Sequence, residues 1–353
     1  MSRPETRARR RAWGAGAGVV LLALVAIGTA FVPSPQLAAK ATDLGPAEEL
    51  RLGYFATVTH VPALVGLERG ILADGLDPDG TRLETQVFTA GPSAMEAINA
   101  GAIDAAYVGP SPAIASYLGS DGASIRVVAG ATSGGAYLVA QPGTTDVAGL
   151  AGGEIATPQY AGTQDVAARD YLRSHGAEDD VAISHAAAGT AVQLFARGAV
   201  AAAWQPEPWA SMLVEEHDGE ILVDERDLWP GGDFPTSVLV VSQKFAGQHP
   251  ETVARLVEAN ERSIRWADEH PDQLVDVADA AIQRAAGENL SRSVLASAID
   301  GMRFTADPLA GTYPVLLERA RETGVLPGAG PGGLDGLIDT DWPKSDTEGG
   351  QGP

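Results

Sequence analysis

Residues able to do chemistry gather in five short segments, each placed just after an apolar run. They are Thr57-Val58-Thr59-His60, Thr89-Ala90-Gly91-Pro92-Ser93, Gly109-Pro110-Ser111-Pro112, Pro158-Gln159-Tyr160-Ala161-Gly162-Thr163 leading into Gln164, and Gln205-Pro206-Glu207-Pro208-Trp209. Hydroxyls and glycines followed by an early proline mark the start of a helix, with Thr59 or His60 and Ser93 placed to cap. The first N–H groups of a helix have no partner within it, and its dipole adds partial positive charge there. Several such ends around one space suit a small oxyanion, because they hold it without burying a counter-cation. For any one segment taken alone, ordinary helix capping explains the residues; the chemistry depends on their convergence.

Three side chains stand out within these segments. His60 could transfer a proton, contact a ligand or simply cap. Glu207, set between two prolines, would repel an anion unless it serves a cationic part of the ligand, a hydroxyl or a hinge. Trp204 and Trp209 flank it, either as core or as the apolar wall of a pocket for an amphiphilic ligand. The acidic stretch Glu215 to Glu220 reads as a solvated loop. No nucleophile–base pair and no metal-ligand cluster is legible.

The chain must be large enough to build such a space, and 353 residues allow two domains' worth of core. Its formal charge is −22; without the first 41 residues, which hold six bases and one acid, it is −27. That field repels phosphate backbones, which weighs against nucleic acid, and it leaves any anion to be held by short-range donors. The absence of cysteine excludes disulfides, thiolate metal sites, cysteine nucleophiles and a lipidated cysteine. Arg3, Arg7 and Arg9 to Arg11 precede an uncharged run from Ala12 to Val32, and Ala39-Lys40-Ala41 offers a cleavage site. Residues 1–41 therefore read as a signal peptide or an uncleaved signal anchor, with 42–49 a linker and the body extracytoplasmic.

From Leu50 onward, short apolar runs alternate with helical patterns, which predicts sheets covered by helices. Ten strands are expected, starting near Leu50, Leu83, Asp104, Ile125, Tyr137, Glu154, Val181, Val200, Ile221 and Val238. Helices follow, with Val253, Leu256, Val257, Asn260 and Ile264 at helical spacing and further starts at Pro271, Ser291 and Tyr313. The segment Leu334 to Trp342 should dock, and 343–353 should form a disordered tail. Ala97 to Ala113 matches Leu194 to Ala210 at a constant offset of 97 residues, aligning Gly101 with Gly198 and Tyr107 with Trp204. Two halves of similar build are expected from this match.

In this order the motifs resemble the substrate-binding proteins of ABC importers for aliphatic sulfonates, taurine and nitrate, across about Leu50 to Ile338. The resemblance is carried by Leu52-Gly53-Tyr54-Phe55, by Phe88 to Pro92, by Glu96 to Asp104 running on to Pro112, by Ala156 to Asp165, and by Ala203 to Trp209. It implies an α/β fold of the two-lobed, type II periplasmic-binding-protein kind, with two crossover strands behind an N-terminal hydrophobic helix. Residues 50–133 plus 236–342 would form one lobe and 134–235 the other, hinged near Thr132 to Tyr137 and Trp229 to Ser237. The implied function is capture of a small anionic or zwitterionic solute, an aliphatic sulfonate first and nitrate or a related anion next. The solute would then pass to a membrane permease and its ATPase. The ligand-facing positions are Thr59, His60, Gly91, Ser93, Gly109, Pro110, Ser111, Tyr160, Gly162, Thr163, Gln164, Trp204 and Glu207. The chain departs from sulfonate binders in having Pro206 before Glu207 where they often place an aromatic. A competing reading is an enzyme of the thiamin-pyrimidine synthase type, which uses iron and histidine on the same fold; those resemble it in lobes but carry cysteine segments this chain lacks. A third, an anchored docking domain, predicts no stabilisation by small molecules.

Overall fold

A computed structural model describes residues 42–287, 289–326 and 333–342. The N-terminal basic and apolar segment and the C-terminal tail lie outside the described residues. Two sheets are present. The larger has the order β11-β4-β10-β3-β1-β2, built from β1 (Glu49–Phe55), β2 (Arg82–Phe88), β3 (Ala105–Val108), β4 (Ile125–Gly134), β10 (Pro235–Ser242) and β11 (Met302–Phe304). The smaller has the order β7-β6-β8-β5-β9, built from β5 (Ala136–Ala140), β6 (Glu154–Thr157), β7 (Ala182–His185), β8 (Ala202–Pro206) and β9 (Glu220–Asp224). All ten anticipated strands form. The eleventh, β11, has only three residues and no readable alternation, so its pairing with β4 depends on its neighbours.

The sheets are built alike. In the first, β3 lies between parallel β1 and antiparallel β10; in the second, β8 lies between parallel β6 and antiparallel β5. These are the two strands that match at the 97-residue offset, and their preceding helices end on left-handed Gly101 and Gly198. Each sheet is mixed rather than purely parallel. The chain leaves the first sheet at Gly134-Gly135, both with positive φ (81° and 74°), and returns from β9 into β10. A side chain on Gly135 would also run into Met302, so this crossing requires glycine twice over.

Helices cover both faces. α1 (Val61–Glu68), α2 (Ile71–Leu76), α3 (Gly91–Asn99) and α4 (Pro110–Gly119) belong to the first βα units, and α5 (Thr163–Ser174), α6 (Ala188–Ala196) and α7 (Trp209–His217) to the second sheet. After α8 (Gln243–Gln248), α9 (Pro250–Glu269) and α10 (Pro271–Ala286) pack on α1, as the apolar spacing from Val253 to Ile264 requires. α11 (Arg292–Asp300) touches α7, and α12 (Tyr313–Glu322) packs against both α4 and α5, so the C-terminal helices contact both halves. The Leu334 to Trp342 segment docks: Leu337 is fully buried, and Val127 exchanges backbone hydrogen bonds with Leu337 (2.8 Å) and Asp339 (2.9 Å). Side chains alternate across each central strand. Tyr107 and Trp204 enter the core on one face, while Ala106 and Ala203 enter it on the other.

Candidate functional site

A cavity of about 240 Å³ lies where loops at the carboxyl ends of strands from both sheets meet. On the order of eight waters would fill it, which limits a guest to a small solute. The first sheet contributes Phe55 to Thr57, Thr59 and His60 after β1, then Val87 to Pro92 between β2 and α3, and Gly109 and Pro112 at the start of α4. The second contributes Pro158, Gln159 and Gly162 to Gln164 between β6 and α5, Ala187 to Gly189 after β7, and Pro206 and Trp209 after β8. Thr236 of β10 and Ala286 complete the lining, and among the described residues no Lys, Arg, Asp or Glu side chain belongs to it.

Four helices begin at this space, two from each sheet. Their cap residues are Ala90 for α3, Gly109 for α4, Gly162 for α5 and Ala187 for α6, and none makes a side-chain capping bond. Alanine and glycine carry no side-chain acceptor, so the early N–H groups stay available to a guest except where Pro92 in α3 and Pro110 and Pro112 in α4 remove them. Elsewhere α8 and α11 are closed by serines: Ser242 Oγ accepts from Phe245 N (3.1 Å) and Ser291 Oγ from Val294 N (3.2 Å). Not every remote helix is capped in this way, since α9, α10 and α12 begin without a side-chain cap and with an early proline. What distinguishes the cavity is four ends converging on one space.

The two halves come close at this point. A Cβ added to Gly109 would lie 2.5 Å from Thr163 Oγ1, so only glycine allows the approach. That hydroxyl is buried without a hydrogen-bond partner among the described residues, at the cavity wall. Such an atom costs free energy unless a guest meets it. His60 is 2 % exposed, stacks on Phe55 with ring centroids 4.4 Å apart, and accepts the Phe55 N–H at Nδ1 (3.2 Å). Burial pushes its pKa down to about 3, so the ring is neutral at pH 7.

Of the thirteen positions marked in the sequence, Thr59, His60, Gly91, Gly109, Gly162, Thr163 and Gln164 line the cavity. The other six do not. Ser93 lies inside the first turn of α3 rather than at its cap, and its hydroxyl donates to Ala90 O (2.8 Å). Neither Thr59 nor His60 makes a capping bond; Thr59 O instead accepts from Ser237 Oγ (2.7 Å). Pro110 and Ser111 open α4 behind the cavity surface, where Ser111 Oγ is buried and unpartnered among the described residues. Tyr160 is half exposed, edge-on to His185 and under the Arg169 guanidinium.

Trp204 and Glu207 differ most from their expected places. Trp204 is fully buried against Tyr171, and its Nε1–H donates to Glu225 Oε2 (3.0 Å). Alternation along β8 sends this side chain into the core, and Trp209, at the start of α7, supplies the aromatic wall instead. Burial raises the Glu225 pKa to about 8, against the opposing effects of the Trp204 bond and nearby Arg319. Glu207 is 3 % exposed and turns its carboxyl onto its own helix: Oε2 accepts from Ser211 N (3.0 Å) and Oε1 from Ser211 Oγ (2.9 Å). Burial lifts its pKa to about 7, with the Ser211 bonds opposing. Its carbonyl ties the halves together, since Glu207 O accepts from Thr57 Oγ1 (2.8 Å), while Glu207 N donates within its own half to Gly135 O (2.9 Å).

The lining residues that sequence reasoning missed are mainly Phe88, Gln159, Ala187 to Gly189 and Thr236. The alanine-rich run after β7 carries no chemistry of its own; its place after a parallel strand was the available signal. Among the described residues, no group of three or more His, Cys, Asp or Glu side chains could hold a metal ion.

Comparison with known proteins places this geometry in context. A Bacillus subtilis protein named as an aliphatic sulfonates-binding protein is 28 % identical over 234 residues, covering 65 % of this chain and 68 % of its own. A Brucella abortus protein named as a binding protein is 30 % identical over 253 residues, covering 70 % of this chain and 73 % of its own. Two solved structures share the fold. The alkanesulfonate-binding protein SsuA of Xanthomonas axonopodis pv. citri, bound to MOPS, superposes with a TM-score of 0.70 at 18 % identity, over 84 % of this chain and 99 % of that one. The periplasmic nitrate-binding protein NrtA of Synechocystis PCC 6803 gives 0.64 at 18 % identity, over 80 % and 83 %. The two-sheet periplasmic-binding-protein-like fold is therefore established, and with the family model matching residues 43–282, the chain belongs to the NMT1-like family.

Proposed function

We propose that this chain is the extracytoplasmic solute-binding component of an ABC importer, which captures a small anionic or zwitterionic solute between its two sheets and delivers it to a membrane permease. One observation carries the reading: four helix ends without side-chain caps, two from each sheet, surround a cavity that holds the unpartnered Thr163 hydroxyl and, among the described residues, no charged side chain. Oriented N–H groups meet the oxyanion, and Phe55, Phe88 and Trp209 accommodate an apolar remainder. An aliphatic sulfonate fits both requirements, with nitrate or a related anion next; the names of the relatives support that order.

In this reading 50–133 plus 236–342 form one lobe and 134–235 the other, and Gly134-Gly135 is one hinge. Residues 1–41 export the chain or anchor it to the membrane. Thermal unfolding of residues 42–353 with ethanesulfonate, taurine, nitrate and thiamin precursors tests the proposal. A ligand at 100 times its Kd stabilises by about 2.7 kcal/mol. Stabilisation by a sulfonate or nitrate that Thr163→Val weakens supports the site. No stabilisation by any of them removes the proposal, and stoichiometric iron in the purified protein would favour an enzyme instead.

A further inference from the structure

Among the described residues His60 is the only imidazole that lines the cavity, and its surroundings determine which of its nitrogens carries the proton. The Phe55 N–H points at Nδ1 from 3.2 Å, and a nitrogen that accepts a hydrogen bond cannot also be protonated. The proton of the neutral ring therefore sits on Nε2. Stacking on Phe55 and the Tyr107 ring 6.3 Å away hold the plane of the imidazole, while Tyr107 Oη is engaged with Asn260 Oδ1 (2.9 Å). Nε2 forms no hydrogen bond within the described residues, and the ring belongs to the cavity lining. A wall donor that the protein leaves without a partner is left to what the cavity holds.

We infer that His60 serves the cavity as a fixed, uncharged Nε2–H donor, and that with no cation among the described lining residues the site selects monoanions over dianions. This rests on the function proposed above and deepens it by naming the charge class of the solute. The uncapped helix ends and Nε2–H together offer dipoles to an oxyanion, which suffices for one delocalised charge. A second charge on the same group would be buried without a counter-ion, and that penalty excludes it. A sulfonate and a phosphonate of the same carbon skeleton differ in this respect and little else. The selection therefore arises from electrostatics rather than shape.

The test combines 15N NMR of the histidine side chains at pH 7.5 with calorimetry on wild type, His60→Gln and His60→Leu. Free protein should show a pyrrole-type Nε2 and a pyridine-type Nδ1 for His60, and ethanesulfonate should shift the Nε2 signal without changing the tautomer. His60→Gln, which keeps an N–H donor, should bind ethanesulfonate within about threefold of wild type. His60→Leu should bind about 10- to 100-fold more weakly, the loss expected for one hydrogen bond to a charged group. In a second calorimetric series at pH 9.5, where ethylphosphonate is the dianion and ethanesulfonate still a monoanion, the phosphonate should bind at least about 100-fold more weakly than the sulfonate. An Nδ1–H tautomer, an imidazolium, unaltered affinity in His60→Leu or equal affinity for the two ligands would each overturn the inference. If wild type binds none of the probes, the proposed transport function fails, yet the imidazole signals still decide whether the fixed donor exists.

Discussion

The junctions after β3 and β8 occupy the same place in their sheets and end differently. After β3 the chain passes through Gly109 straight into α4, whose start carries no side-chain cap; Pro110 and Pro112 have no N–H, so Ser111 N is the one donor of its first three residues. After β8 the chain passes through Pro206 and Glu207, and the Glu207 carboxyl bonds Ser211 at the start of α7. One helix end is left open to a guest; the other is filled by the protein's own carboxyl group. The aromatic side chains on the two strands diverge as well. Tyr107 donates to the neutral Asn260, whereas Trp204 donates to the buried Glu225 carboxyl. A duplicated scaffold can thus dedicate one copy of a junction to binding and the other to holding the halves together.

The largest effect should follow from removing the β8 aromatic. Trp204→Ala is expected to cost about 3–5 kcal/mol of stability, measured by urea unfolding, because it empties the core and strands Glu225. Trp209→Ala should leave stability nearly intact and weaken solute binding by about 1–2 kcal/mol, since it removes a cavity wall. The reverse pattern would exchange the roles assigned to the two tryptophans.

A comparable effect is expected from pH. Glu225 and Glu207 hold a proton more tightly folded than unfolded, with pKa values raised from 4.5 to about 8 and about 7. Their contribution to stability should fall as pH rises from about 4.5 through those values, while His60, lowered from 6.5 to about 3, opposes it below about pH 6.5, so the carboxyls govern the profile above that. Glu225→Gln keeps an acceptor for Trp204 and should flatten the fall by on the order of 3–5 kcal/mol between pH 5 and pH 9, read from denaturant midpoints. A wild-type profile that rises between about pH 7 and pH 9 would contradict the buried, protonated carboxyl.

The smallest effect should come from the β3 side. Gly109→Ala suits the backbone of a cap residue, whose φ is −68°, so stability should hardly change. Its methyl would meet Thr163 Oγ1, however, and force the two halves apart, weakening binding by about 1–2 kcal/mol in calorimetry. Unchanged affinity would mean that the contact between Gly109 and Thr163 plays no part in closure.

Much of the architecture was legible in the residue pattern. Short apolar runs between helical patterns located ten strands, and the period-3.6 spacing from Val253 to Ile264 located α9. Glycines and prolines after the strands marked where helices begin, which led to Gly91, Gly109 and Gly162. Side-chain direction was harder to read. Trp204 lies two residues before the end of β8, and strand alternation, not proximity to the loop, decides which face it occupies. Ser93 lost its expected role because α3 begins two residues earlier, at Gly91.

The sequence by itself determined the strand and helix pattern, the absence of cysteine chemistry, the acidic field and the location of the helix starts, because these depend on local periodicity and composition. Only the tertiary structure decided that four of those starts share one cavity, that Glu207 fills its own helix end, and that His60 is buried with a fixed tautomer. Each of these depends on contacts between residues far apart in the chain, such as Gly109 with Thr163 and Thr57 with Glu207. No local pattern encodes which distant side chain will occupy a donor and which donor will be left open.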